Sequence, residues 1–324
     1  MLEAHLGEAA ALATALCFTV SALAFNEAAK RLGSLALNLI RLVMALGLLT
    51  LYGALVRGQA WPSDATPRVW LFLSLSGLVG FTLGDMCLFR AYVELGPRLT
   101  TLLYALAPIF SAVLGWLCLG ETLSAQKLGG MALTFGGIVW VLLERRTEAP
   151  RSSSALPTAQ EHHYARGIIL GVLAALGQAG GYLLTKYGLG NFDEAGQFVS
   201  GDYDACAATQ IRVIAGALGF ALLFFPLRWW PKVGMALKNG SGLKFAFLGA
   251  LSGPFVGVSL GVVAVVHAKL GIAATLMSLV PIFVLPFAIL VQKERVSVRA
   301  VVGALVAIGG VALMSLEAAP KGVE

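Results

Sequence analysis

Charge is scarce in this chain. Only 12% of its 324 residues are Asp, Glu, Lys or Arg, where an ordinary soluble domain carries about 25%. So few charges cannot clothe a water-facing surface of this size, which excludes a soluble globular fold. Cysteine is sparse as well. Cys17, Cys87, Cys118 and Cys206 lie in or beside apolar runs and form no Cys-x-x-Cys pair, so they read as small buried residues, not as a disulfide or zinc framework. No Lys or Arg precedes the first apolar run, and Leu16, not a small residue, precedes Cys17. That run reads as a retained helix, not a signal peptide. There is no Gly-x-x-x-x-Gly-Lys phosphate loop, which argues against direct use of ATP. His-Glu-x-x-His and Gly-x-Ser-Gly are missing, and His162-His163 have no third ligand nearby. No catalytic residue, metal or cofactor is expected. The net charge of +6 comes from basic residues in short loops, where they act as topology signals and headgroup contacts; nucleic acid is not an expected partner.

What the chain has is apolar length. Hydrophobic residues make up 58% of it and the mean hydropathy is +0.83. A helix needs about 20 apolar residues to cross about 30 Å of hydrocarbon. Ten segments qualify: 6–28, 36–56, 69–89, 99–119, 125–143, 167–187, 206–226, 243–266, 271–291 and 298–316. None alternates with period two, so membrane strands are not expected. The stretch 144–166 is polar and rich in Ser, Pro and charge, and reads as a linker. It divides the chain into 1–143 and 167–317, with a tail at 318–324. Five crossings per half is an odd number, so the second half enters the membrane inverted relative to the first. The expected fold class is an all-α integral membrane protein of ten transmembrane helices in two inverted five-helix repeats.

The halves also match residue by residue. Gly80, Gly84, Pro108, Phe110, Glu121, Ser124, Gly130, Gly136 and Gly137 recur about 173 positions later as Gly253, Gly257, Pro281, Phe283, Glu294, Ser297, Gly303, Gly309 and Gly310. Duplicated halves in an apolar chain are a common plan for secondary transporters, with the substrate held between them. Ser76, Gly80 and Gly84 map onto Gly249, Gly253 and Gly257. Their spacing of four places small residues on one helix face, for close packing or for lining a cavity. Pro108 and Pro281 are expected mid-helix, each bending its axis near the bilayer centre. Glu121 and Glu294 are expected to cap the next helix together with Ser124 and Ser297.

The run Gly96-Pro97-Arg98, then Ala107-Pro108-Ile109-Phe110-Ser111-Ala112-Val113-Leu114-Gly115-Trp116 and Leu119-Gly120-Glu121-Thr122-Leu123-Ser124, resembles the EamA repeat of the drug/metabolite transporter superfamily. The second half is similar through Gly271-Ile272-Ala273-Ala274, Pro281-Ile282-Phe283 and Glu294-Arg295-Val296-Ser297, with Lys293 where the first copy has Gly120. An insertion at about 188–204 departs from the pattern. The resemblance covers nearly the whole chain. It implies ten helices, a central cavity, alternating access, and export or exchange of small metabolites such as amino acids, sugars or drugs.

Ionisable groups inside membrane helices cost about 2.5–3.5 kcal/mol on insertion scales and point to function. Arg41 and Arg212 occupy related places in the second and seventh segments, and are expected to anchor gates toward opposite membrane faces or to snorkel to the interface. Asp85 is the carboxylate best placed for proton coupling or for pairing with Arg41 or Arg90. Arg212 is expected near Lys186, Tyr182, His267 and the acidic insertion, and His267 is expected to end its helix rather than relay protons. Asn38, Tyr104, Gln178, Tyr182, Thr185, Gln210 and Ser259 lie at depths suited to bonding a zwitterionic or polyol substrate.

Lys and Arg concentrate on the face that holds the linker, so the positive-inside rule puts both termini outside, whereas the resemblance implies cytoplasmic termini. The expected protein is a multi-pass inner-membrane carrier, monomer or homodimer, whose partners are a small molecule, lipid and, as coupling ion, protons. A non-transporting scaffold or sensor of the same fold is the alternative.

Overall fold

The computed structural model describes residues 5–144, 158–193, 198–201, 203–290 and 298–315. In the first half α1 (Leu6–Leu32) and α2 (Ser34–Val56) are followed by α3 (Pro67–Gly77), a π-helical turn (Leu78–Gly84), α4 (Asp85–Tyr104), α5 (Ala107–Leu119) and α6 (Ala125–Glu144). In the second, α7 (Thr158–Leu189) leads through β1 (Gly190–Phe192) and β2 (Phe198–Ser200) to α8 (Ala205–Phe224) and α9 (Trp230–Ala236). The chain continues with α10 (Gly240–Ala250), a second π-helical turn (Leu251–Gly257), α11 (Val258–His267), α12 (Leu270–Met277), α13 (Val280–Leu290) and α14 (Val298–Ser315). Seven described helical stretches are long and apolar enough to cross a bilayer, and Leu270–Val284 and Val301–Met314 are shorter apolar helices. The protein is a mostly helical, multi-pass membrane protein.

Four local features differ from expectation. α7 starts at Thr158, inside the stretch read as linker, and helical backbone runs through residues 96–98, where a loop was expected. The insertion after α7 folds into an antiparallel ribbon with Asn191 opposite Val199; its Glu194 and Asp202, like Arg145, Arg146, Lys293, Glu294 and Ser297, lie outside the described residues. The prolines do not bend continuous helices. Pro108 and Pro281 each stand second in a new helix, α5 and α13, just after a break at Ala105–Leu106 or Ser278–Leu279. Proline suits that position because the first-turn N–H has no intrahelical partner to lose.

The repeat is visible in the backbone. Both π-helical turns, and both breaks before proline, fall at the same interval as the sequence repeat. Contacts exchange between the halves in the same sense. α1 packs along α10, the second π turn and α11, while α7 packs along α3, the first π turn and α4. The pairs α2–α8 and α6–α14 each join a helix to its own counterpart.

Within lipid there is no hydrophobic drive between helices, so association depends on close packing and interhelical hydrogen bonds. The crossings supply both. Ser76 Oγ donates to the Gly181 carbonyl at 2.7 Å; in the mirrored crossing Ser21 Oγ donates to the Gly249 carbonyl at 3.0 Å. Each contact joins one serine to one glycine with the roles exchanged between halves. Between α6 and α14 a Cβ on Gly137 would stand 2.5 Å from the Gly303 carbonyl oxygen, and one on Gly310 would stand 2.6 Å from that of Gly130. Four of the repeated glycines therefore let two backbones touch.

Candidate functional site: a central cavity with two arginines

Two adjoining chambers lie between the halves. The first, about 240 Å³, is walled by α1, α2, both π turns, α4, α7, α8 and α11; the second, about 320 Å³, reaches to the two proline breaks. Phe18, Ala22, Tyr104, Gln178 and Tyr182 line both, so the chambers adjoin along a shared wall. Volumes of this size suit a small organic molecule.

Arg41, Asp85 and Arg212 all line the first chamber. The two arginines, expected at opposite gates, are thus gathered in one space. Their surroundings differ. Arg41 Nη2 donates to Asp85 Oδ2, with side-chain exposures of 19% and 14%, and its guanidinium lies 5.6 Å from the Phe25 ring centre. Arg212 is 4% exposed and 5.0 Å from the Phe81 ring centre. The Nε of Arg212, like that of Arg41, has no hydrogen-bond partner, but among the described residues only Arg41 of the two pairs with a carboxylate. Where the first half has Asp85 opening α4, the second has Val258 opening α11. The carboxylate is thus present in one copy and replaced by an apolar side chain in the other.

The second chamber is mainly apolar, walled by Ala105, Ala107, Ile138, Ala274 and Met277 with Tyr92, Tyr104, Pro108 and Pro281. Of the residues named from depth along the sequence, Tyr104, Gln178 and Tyr182 line both chambers. Asn38, Gln210 and Ser259 do not line either chamber. Asn38 is buried in α2. Gln210 Nε2 donates to Thr50 Oγ1 at 3.0 Å and to the Ala60 carbonyl at 2.9 Å, tying α8 to the turn after α2. Ser259 Oγ donates to the Phe255 carbonyl of its own helix at 2.6 Å. Thr185 bonds Ser76 Oγ at 2.8 Å within a helix crossing. Of the small-residue ladders, Gly253 reaches the cavity wall, while Gly80 and Gly84 face α7, and Gly257 faces Phe18 on α1.

A polar cluster joins the halves at the terminal face, the end of the molecule where α1 begins and α14 ends. Glu121, expected to cap α6, instead accepts from the Leu270 N–H at 2.7 Å and so caps α12 of the other half. It also pairs with Lys186 Nζ at 2.6 Å. Lys186, 5% exposed, donates to the Ala268 carbonyl at 2.5 Å, and Lys269 donates to the Thr122 carbonyl. Ser124 does cap α6, accepting from the Lys127 N–H at 3.3 Å. His267 is exposed, its ring 3.0 Å from the Val263 carbonyl, as expected of a helix-end residue.

Sequence reasoning missed Phe25 and Phe81, the rings beside the two arginines, and the Glu121–Lys186 bridge. Phe81 was within reach, since it stands in the first π turn where Pro254 stands in the second. The bridge spans residues from different halves and leaves no local pattern.

Two repeats enclosing a partly charged chamber at matched helix breaks define a membrane transporter of duplicated design. The chain belongs to the EamA-like transporter family, whose model matches it twice, over residues 5–143 and 165–316. No curated protein sequence matches it. Among solved structures, 27 chains are similar. One, described only as the crystal structure of a protein, has a TM-score of 0.69 at 14% identity, with 96% of each chain covered. That likeness shows the fold alone.

Proposed function

We propose that this protein is a secondary carrier of the drug/metabolite transporter superfamily, set in the inner membrane, which exports or exchanges a small organic metabolite by alternating access. The ten crossings of this reading are α1, α2, α3 to the first part of α4, the remainder of α4 with α5, α6, α7, α8, α10 with α11, α12 with α13, and α14, in two inverted sets of five. The observation that carries it is the pair of adjoining chambers between the halves, bounded by helix breaks at equivalent places in both repeats. Broken helices free backbone groups toward a cavity and let one half rock against the other. The Glu121–Lys186–Leu270 cluster is the closed gate at the terminal face. Asp85, held by Arg41, is the carboxylate through which a proton enters the cycle.

The test requires no knowledge of the substrate. Ala22 lines both chambers, so Ala22→Cys in a chain lacking the four native cysteines reports access to the cavity. Reconstituted in vesicles, it should react with an impermeant maleimide added from either side. The Glu121→Gln variant should shift reaction toward the terminal face. Reaction from one side only, unchanged by that variant, would contradict alternating access.

A further inference from the structure

We infer that the cavity takes an amphipathic organic monoanion, a carboxylate joined to an apolar body, with Arg212 as its receptor. The inference deepens the transporter reading and rests on it for what happens after binding.

The first chamber holds two guanidinium groups, Arg41 and Arg212, and one carboxylate, Asp85. The carboxylate is taken by Arg41. Among the described residues Arg212 is therefore a buried cation without a counter-charge, and at 4% exposure its side chain is enclosed by protein. The Phe81 ring satisfies one face of the guanidinium and no N–H. Buried charges are ordinarily paired; here the pair is incomplete, and open volume lies beside it. A planar guanidinium matches a carboxylate in two parallel hydrogen bonds, which a hydroxyl or amine cannot supply.

The repeat supplies a second, independent argument. Asp85 stands at the first residue of α4 and Val258 at the first residue of α11, directly after the matching π turns. The fold therefore has a position from which a carboxylate can reach the arginine, and the second copy does not use it. Among the described residues none supplies the acid that would complete the second pair, and a bound ligand can. One extra positive charge calls for one negative charge, and the adjoining, mainly apolar chamber beyond Tyr104 and Tyr182 receives the uncharged remainder.

The experiment compares acids with neutral and cationic analogues of the same skeleton on purified full-length protein. Probes are phenylacetate and 4-methylpentanoate, their amides, and phenethylamine, with binding read by calorimetry. At least one acid should bind ten-fold or more tightly than its amide, and the amine should not bind. Arg212→Gln should abolish the preference, and Arg212→Lys should keep part of it. Val258→Asp leaves Arg212 in place but supplies the missing partner, and should also abolish it. That variant keeps the test decisive if Arg212→Gln does not fold. The inference is overturned if no acid exceeds its amide, if the amine binds as well as the acids, or if the preference survives in both Arg212→Gln and Val258→Asp. Failure here with normal two-sided labelling of Ala22→Cys removes the anion and leaves the carrier. One-sided labelling with the acid preference intact removes the carrier and leaves an anion receptor.

Discussion

Replacing Arg41 and Arg212 by glutamine should move stability in opposite directions, although the two residues occupy equivalent helices and line one chamber. Arg41→Gln strands Asp85, whose side chain is 14% exposed. Removing one partner of a buried ion pair costs about 3–5 kcal/mol, roughly a 10²- to 4 × 10³-fold loss in the folding equilibrium. Arg212→Gln strands nothing, because no carboxylate among the described residues faces it. Relief of an unpaired intramembrane cation contributes about 2.5–3.5 kcal/mol, offset by about 0.5–2 kcal/mol for the lost contact with Phe81, leaving a gain of about 0.5–3 kcal/mol. Reversible unfolding in mixed micelles of dodecyl sulfate and a mild detergent measures both. The double variant Arg41→Gln with Asp85→Asn should recover most of the loss, giving a coupling energy that isolates the pair. Equal destabilisation by the two single variants, or a coupling energy near zero, would refute the claim that one arginine is paired and the other is not.

Three further outcomes are expected. Gly137→Ala should destabilise the α6–α14 contact by about 1–3 kcal/mol, because its Cβ would meet the Gly303 carbonyl oxygen at 2.5 Å and the Ala307 nitrogen at 2.6 Å; Gly136→Ala, with open space around it, should be neutral in the same unfolding assay. Outside the membrane, Arg57 pairs with Asp64 at 2.6 Å and with Asp204 at 3.6 Å, and the Tyr203 hydroxyl donates to Asp64 at 3.3 Å. Burial raises the Asp64 pKa, but hydrogen bonding and charge from Arg57 bring it below the ordinary 3.8, so its stabilisation is present above that value and is lost as pH falls through the depressed one. Burial and the Asp64 charge push Tyr203 up to about 12, so its contribution is complete below pH 10 and is lost between 10 and about 12. Protection factors of the amides in residues 57–66, which divide out the intrinsic pH dependence of exchange, should therefore be highest between these limits and fall at both ends, and protection factors independent of pH would show that the cluster does not hold this turn. Finally, Lys186→Met should raise labelling of Ala22→Cys from the terminal face, as Glu121→Gln does, because either change breaks the same bridge; unchanged labelling in both would separate the bridge from gating.

The repeat was legible because duplication leaves its mark on side chains that geometry restricts. Gly137 and Gly310 recur where two backbones meet, and Pro108 and Pro281 recur where helices restart. What the prolines do was misjudged, since a helix end and a helix bend both call for proline and only the preceding turn tells them apart. Glu121 was read as a local cap for a similar reason. Its spacing to Ser124 fits the start of α6, yet the free N–H it meets belongs to α12, far along the chain. Gln210 and Asn38 looked like cavity residues because depth along a helix is visible in sequence while direction around a crowded bundle is not.

Composition alone determined the solvent of this protein, and periodicity alone determined its duplication, because the transfer of residues into lipid is a sum over the chain and a repeat is a property of order. Which arginine has a partner was decided only in three dimensions. Arg41 and Arg212 are near twins as letters in a row, and a Coulomb interaction depends on the distance to charges elsewhere in the chain. Folding brings Asp85 to one and Phe81 to the other, and from that difference the chemistry of the cavity follows.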